Sequence, residues 1–169
     1  PPNVPPGCPA SSPSCTGRVN ALHLDADGIR RAAVPVAPEE LELRFVLAYT
    51  GKPRQSGINN WEVFKAHING DKRVFRNFER IATIAREMHQ ALLRHDWEDI
   101  ARLLRDEWKL RRTNAPGITT SLIDKLIAAS SHTGGRAAQG CGAGRGGCVL
   151  FRVEEGPGVA VAQAGAAAG

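Results

Sequence analysis

The sequence predicts an α+β domain built on a largely antiparallel sheet. Strand-like runs stand in groups on either side of a block of helical segments, with no strand–helix alternation. Within the helical block, apolar residues recur at every third and fourth position. The last two strand-like runs are joined by a glycine-rich turn, Gly142-Ala143-Gly144-Arg145-Gly146-Gly147, so this motif links strand to strand.

Residues 1–16, PPNVPPGCPASSPSCT, are uncharged and rich in proline and serine, which reads as a disordered lead-in. They have neither a basic start nor an apolar core, so a signal peptide is not expected there. The folded domain is expected over residues 17–155. Val19 to Leu24 alternates, Asp27-Gly28 signals a hairpin, and Ile29 to Val36 is the returning strand, limited by Pro35 and Pro38. Leu43 to Tyr49 is the strongest strand and ends at Thr50-Gly51-Lys52-Pro53. Asn59 or Asn60 caps a helix that reaches Ile68 and stops at Asn69-Gly70. Val74, Phe75, Phe78, Ile81, Ala85, Met88 and Leu92 form the stripe of a long amphipathic helix. Asp96 caps the next, with Trp97, Ile100, Leu104 and Trp108 on one face and Pro116-Gly117 beyond its end. Thr119 or Thr120 opens a further helix through Ile123, Leu126 and Ile127, which breaks at Gly134-Gly135. Cys148 to Val153 is the last strand, and residues 156–169 are a low-information tail compatible with a frayed helix.

The 169 residues are 42% hydrophobic and 23% charged, ordinary for one globular domain. No apolar run approaches the length of a membrane span. The net charge of +5 is spread along amphipathic segments, which suits an anionic substrate better than a nucleic-acid surface. Cys8, Cys15, Cys141 and Cys148 form no C-x-x-C pair and have no histidine at zinc-ligand spacing, so no metal site is expected. A reduced, cytoplasmic protein is the expectation, with Cys141 and Cys148 as small buried residues at strand edges. His67, His89 and His95 read as helix residues without ligand partners, and Trp61, Trp97 and Trp108 as core anchors.

Gly142, Gly144 and Gly147 match G-x-G-x-x-G, yet a dinucleotide site needs that string to open a helix, with an acidic residue about 20 positions on. Here a strand follows instead. The bare N–H groups of such a turn can still cradle an anion; the alternative is a tight strand connection whose glycines serve turn geometry alone. Arg54, Ser56, Asn59 and Asn60 lie between the strongest strand and a helix N-terminus. They form either an anion or sugar-hydroxyl site or a capped, solvated loop. Arg111 and Arg112 either grip a substrate phosphate or complement the negative end of their helix. Asp25 and Asp27 read as hairpin-turn residues.

Four blocks occur in order: Leu47-Ala48-Tyr49-Thr50-Gly51-Lys52-Pro53-Arg54; Ser56-Gly57-Ile58-Asn59-Asn60-Trp61-Glu62-Val63; Trp108-Lys109-Leu110-Arg111-Arg112-Thr113-Asn114; and Cys141 to Cys148. Together they resemble the C-terminal half of the GHMP family of small-molecule kinases, and within it the bacterial sugar kinases that act on heptose phosphates. The resemblance runs from about Arg18 to Val153. It implies a ferredoxin-like layer of antiparallel sheet packed by helices. It also implies ATP-dependent phosphoryl transfer, with Mg2+, to a sugar or sugar phosphate. Gly142, Ala143, Gly144, Arg145, Gly146 and Gly147 then correspond to the family's third motif, which steadies the ATP phosphates and shapes the substrate pocket.

The departures from the family carry expectations too. Its Ser-rich phosphate loop and catalytic Asp lie upstream of this half and have no counterpart in the sequence, nor is there a G-x-x-x-x-G-K-[ST] string. Phosphoryl transfer depends on positioning ATP, metal and nucleophile together. The chain is therefore expected to hold no catalytic residue, to need an N-terminal kinase domain as partner, and to be silent alone. The family also has Gly at the place of Arg145, whose bulk is expected to obstruct or to be neutral. It has a Lys-Val pair where Gln139-Gly140 stands. The rival is a non-catalytic ligand-binding or interaction module of the same fold. An exposed apolar docking face would favour the incomplete enzyme, and a fully polar surface the module.

Overall fold

The computed structural model describes residues 19–51, 56–132, 135–141 and 147–154, with backbone alone for 56–59. The lead-in over residues 1–16, Arg54, the turn residues Gly142 to Gly146 and the tail over residues 156–169 lie outside the described residues.

Strands β1 (Val19–Asp25) and β2 (Gly28–Val34) pair antiparallel, from Val19 opposite Val34 to Asp25 opposite Gly28. Gly28 closes the turn at φ 127°, a conformation that a side chain would strain, and Arg30 holds Asp25 at 2.9 Å. This hairpin forms a sheet of its own, so the expected antiparallel layer is split in two. A helix the pattern analysis did not anticipate follows: α1 (Pro38–Arg44). Pro38 opens it, Glu39 and Glu40 occupy its positive end, and Arg44 its negative end. The strand expected from Leu43 accordingly starts at Phe45, as β3 (Phe45–Tyr49).

The helical block is α2 (Ser56–Ile68), α3 (Lys72–Leu93), α4 (Trp97–Arg111) and α5 (Ser121–Ser131). Asp71 caps α3 by accepting from the N–H groups of Arg73 (2.8 Å) and Val74 (3.2 Å). Asp96 does the same for α4 through Asp99 N–H, and Thr120 for α5 through Ile123 N–H. Strands β4 (Gly135–Gly140) and β5 (Cys148–Val153) then join β3 in a three-stranded antiparallel sheet ordered β3–β5–β4. β5 lies in the middle, which is why Val149, Phe151 and Val153 are buried.

One core lies between this sheet and the helices, with Trp108, Ile123, Leu126, Ala138, Val149 and Phe151 at its centre. A second fills the α3–α4 seam with Ile84, Ala91, Ile100 and Leu103. The first is closed by an intimate contact: a Cβ added to Gly140 would lie 2.7 Å from the ring end of Trp108.

Three readings are corrected by this packing. Trp108 is a core anchor, and Trp97 is half-buried under the Arg44 guanidinium at 4.6 Å, but Trp61 is 62% exposed on a face of α2 that no described element covers. His95 is not in a helix. It sits in the α3–α4 turn at φ 53°, with Nδ1 3.0 Å from Glu40 Oε2. Cys141 and Cys148 are half-buried rather than buried, because the edge of the sheet ends beside them. Among the described residues no helix is long and apolar enough to cross a membrane.

Gly140→Ala should cost about 1–3 kcal/mol, because the buried Trp108 ring has little room to retreat. Urea unfolding would record it as a lower midpoint with an unchanged slope. The backbone N–H groups of Val74 and Arg73 hold the Asp71 carboxyl below its ordinary range. Its stabilisation is present above that ordinary range and is lost as pH falls through the lowered native value. Thermal melts should show Asp71→Ala below wild type at neutral pH, the gap closing in acid.

Candidate functional site

The β3–β5 ladder brings two of the four sequence blocks to one end of the sheet, and the seating of α4 along β4 directs a third toward it. β3 runs antiparallel to β5, so its last residue, Tyr49, stands opposite Cys148, the first residue after the glycine-rich turn. Thr50 N–H donates to the Gly147 carbonyl at 2.8 Å. Gly147 itself has φ 85°, the left-handed region that favours glycine. On the other side, Cys141 N–H donates to the Cys148 carbonyl at 2.8 Å, so the ladder reaches the mouth of the turn.

α4 is laid along β4 in the same direction. The Arg105 guanidinium donates to the Arg136 carbonyl, Gln139 Nε2 donates to Glu107 Oε2 at 2.7 Å, and Trp108 covers Gly140. Advancing along the helix therefore advances along the strand, and the end of α4 with Arg111 and Arg112 points to where the turn departs. Five residues separate Thr50 from the start of α2 at Ser56, a span of at most about 20 Å.

Ser56 and Asn59 lie in the first turns of α2, described in backbone only, and Asn60 is exposed. Arg111 forms an ion pair with Glu107, whose residue is 7% exposed and whose other oxygen takes Gln139. Arg112 pairs with Asp124 at 3.1 Å, and Asp124 also accepts from Thr119 Oγ1 at 2.9 Å. Both guanidinium groups are thus oriented by carboxylates while staying more than a third exposed. Arg112 also lines a groove between α4 and α5 of about 240 Å³, with Arg105, Lys109 and Arg136 on its walls and Trp108 and Ile127 among its apolar lining. Asp25 and Asp27 remain in the hairpin.

Sequence reasoning missed the residues that hold this end together. Glu107 bridges helix and sheet, and Gln139 receives it. Asn77 of α3 donates to Asn114 Oδ1 at 2.7 Å and Thr113 Oγ1 at 3.0 Å, tying down the segment after α4. A signal for Asn77 was present: it interrupts the apolar face made by Val74, Phe78 and Ile81. Glu107 stands four residues before Arg111, a helical ion-pair spacing. Nothing in the sequence marked Gln139 as the second partner. Gly140 is bare for a local reason, since a side chain there would collide with Trp108.

Residues 88–169, just under half of the chain, match the family model described as the C-terminal domain of GHMP kinases. A bifunctional fucokinase/GDP-fucose pyrophosphorylase of Arabidopsis thaliana is 23% identical over 66% of this chain and 11% of its own length. A D-glycero-alpha-D-manno-heptose 7-phosphate kinase of Campylobacter jejuni is 26% identical over 68% of this chain and 33% of its own. The fold matches that of mevalonate kinase from L. major at TM-score 0.76 and 15% identity, covering 91% of this chain and 46% of that one. The chain thus spans from about a tenth to under half of these relatives.

Glu107→Ala would leave the Gln139 amide and the Arg111 guanidinium without their shared acceptor, at a cost of about 1–3 kcal/mol. Urea unfolding of the variant, compared with Glu107→Gln, which keeps an acceptor for Gln139, should show the larger loss for alanine.

Proposed function

We propose that this chain is the C-terminal domain of an ATP-dependent kinase for a sugar or sugar phosphate, closing the substrate pocket and supporting the ATP phosphates. The observation that carries this reading is the convergence on one end of the sheet. β3 ends at Tyr49-Thr50 beside Gly147 and Cys148, which close the glycine-rich turn, and α4, seated along β4 in the same direction, carries Arg111 toward that end. In this reading Gly142, Ala143, Gly144, Arg145, Gly146 and Gly147 face the ATP phosphates. Arg54, Ser56, Asn59, Asn60, Arg111 and Arg112 face the substrate, whose phosphate suits paired guanidinium groups. The reading assigns no Mg2+ ligand to this chain. The phosphate loop, the catalytic carboxylate and the metal ligands belong to an N-terminal kinase domain, in a cytoplasmic enzyme.

The surface supports a docked partner domain over a self-sufficient module. Large apolar side chains stand exposed on the hairpin (Leu24, Ile29), on β3 (Leu47, Tyr49) and along α2 (Trp61, Phe64, Ile68). On α2 they recur at three and four residues, a continuous stripe that water would otherwise face.

The purified chain, given ATP, Mg2+ and heptose 7-phosphate, should release no ADP above background in a coupled assay; turnover by the chain alone overturns the division of labour. Fusing the N-terminal portion of the Campylobacter jejuni heptose kinase upstream of Arg18 should give sugar-dependent ADP release. A folded, ATP-binding chimera that never transfers phosphate counts against the reading.

A further inference from the structure

We propose that Cys141 and Cys148 form a reversible disulfide across the mouth of the glycine-rich turn, making this pair a site of oxidative modification by glutathione disulfide. The β4–β5 register places Gly140 opposite Val149, and one further step places Cys141 opposite Cys148. The Cys141 N–H to Cys148 carbonyl bond at 2.8 Å shows that the ladder holds at this step. The two side chains therefore emerge on the same face of the sheet, as directly opposed residues do.

Opposed residues at a hydrogen-bonded ladder site have Cα atoms about 5.5 Å apart, inside the window of about 4.4–6.8 Å that a disulfide accepts. Their Cβ atoms, about 5–5.5 Å apart, must close by roughly 1 Å to reach disulfide spacing. The strand ends can supply that movement. Gly147 adjoins Cys148 with φ 85°, and Cys141 is bonded to Gly142, so each cysteine has a glycine on its turn side. The residual misfit makes the bond easily reduced, the property of a switch rather than of a permanent staple. Both thiols are half-buried, hence within reach of a small disulfide.

The chemistry balances as two exchanges. One cysteine thiolate attacks glutathione disulfide, forming a mixed disulfide and releasing one glutathione thiolate. The other cysteine thiolate then attacks the protein sulfur of that mixed disulfide and releases the second glutathione. The protein loses two hydrogens, and glutathione disulfide becomes two glutathione thiols. The ring closed by the bond contains the whole Gly142–Gly147 turn, so oxidation restricts its span. The bond itself rests on the ladder geometry; only its consequence for ATP handling rests on the kinase reading.

The turn supplies its own assay, because Arg145 is a tryptic site between the two cysteines. A chain with Cys8→Ser and Cys15→Ser, equilibrated with excess glutathione disulfide, is alkylated, digested without reductant and weighed by mass spectrometry. The expected product is peptide 137–145 joined to peptide 146–152, two hydrogens lighter than their sum, from more than half of the molecules. Dithiothreitol should return both peptides as separate thiols, and Cys141→Ser should abolish the linked species. Circular dichroism of the same samples confirms that the fold is retained. Three results overturn the proposal: unmodified thiols, one glutathione on each cysteine without linkage, or disulfide-bonded dimers on a non-reducing gel. In the unsubstituted chain the same linked pair must dominate, and cross-links from Cys8 or Cys15 overturn it equally.

Discussion

The seating of α4 along β4 is the constraint on which the rest of the structure depends. The ring end of Trp108 abuts Gly140, and only a residue without a side chain lets the helix come that close. The same contact sets the helix direction, so that Glu107 meets Gln139 and Arg105 meets the backbone at Arg136. From there α4 carries Arg111 to the end of the sheet, and its other side closes the second core with Ile100 and Leu103 against α3. One tight helix–strand contact therefore links both cores and aims the cationic end of the helix.

The sheet presents a contrast between its middle and its margin. β5 is buried because β3 and β4 flank it and helices cover it, whereas Leu47 and Tyr49 of the outer strand β3 are exposed. The separate β1–β2 hairpin and the apolar stripe of α2 add to that uncovered surface. Scattered exposed apolar residues need no explanation, whereas Trp61, Phe64 and Ile68 of α2 recur at helical spacing.

Much of the fold was legible because its signals are local. The helix starts at Asp96 and Thr120 follow from side chains able to accept N–H groups, and α3 from its apolar period. The missed helix α1 is short, and its first turn was masked by reading Pro38 only as a strand breaker. Trp61 was misread because an apolar residue on an amphipathic helix predicts burial without saying against what. For the site, the four blocks were visible as strings, but the meeting of the β3 end with Gly147 and Cys148 was not. Glu107, Gln139 and Asn77 were missed because their partners lie 32 to 37 residues away in sequence.

The glycine-rich turn divides most clearly what each level decided. The sequence by itself determined that the turn joins two strands and that a cysteine closes each side. Those are properties of composition and spacing, which need no fold to be read. Only the tertiary structure decided that Cys141 and Cys148 face each other, that Gly147 meets Thr50, and that Gly140 must stay bare for Trp108. The reason is physical: strand register and helix seating are set by the joint packing of distant segments, and no local window contains both partners.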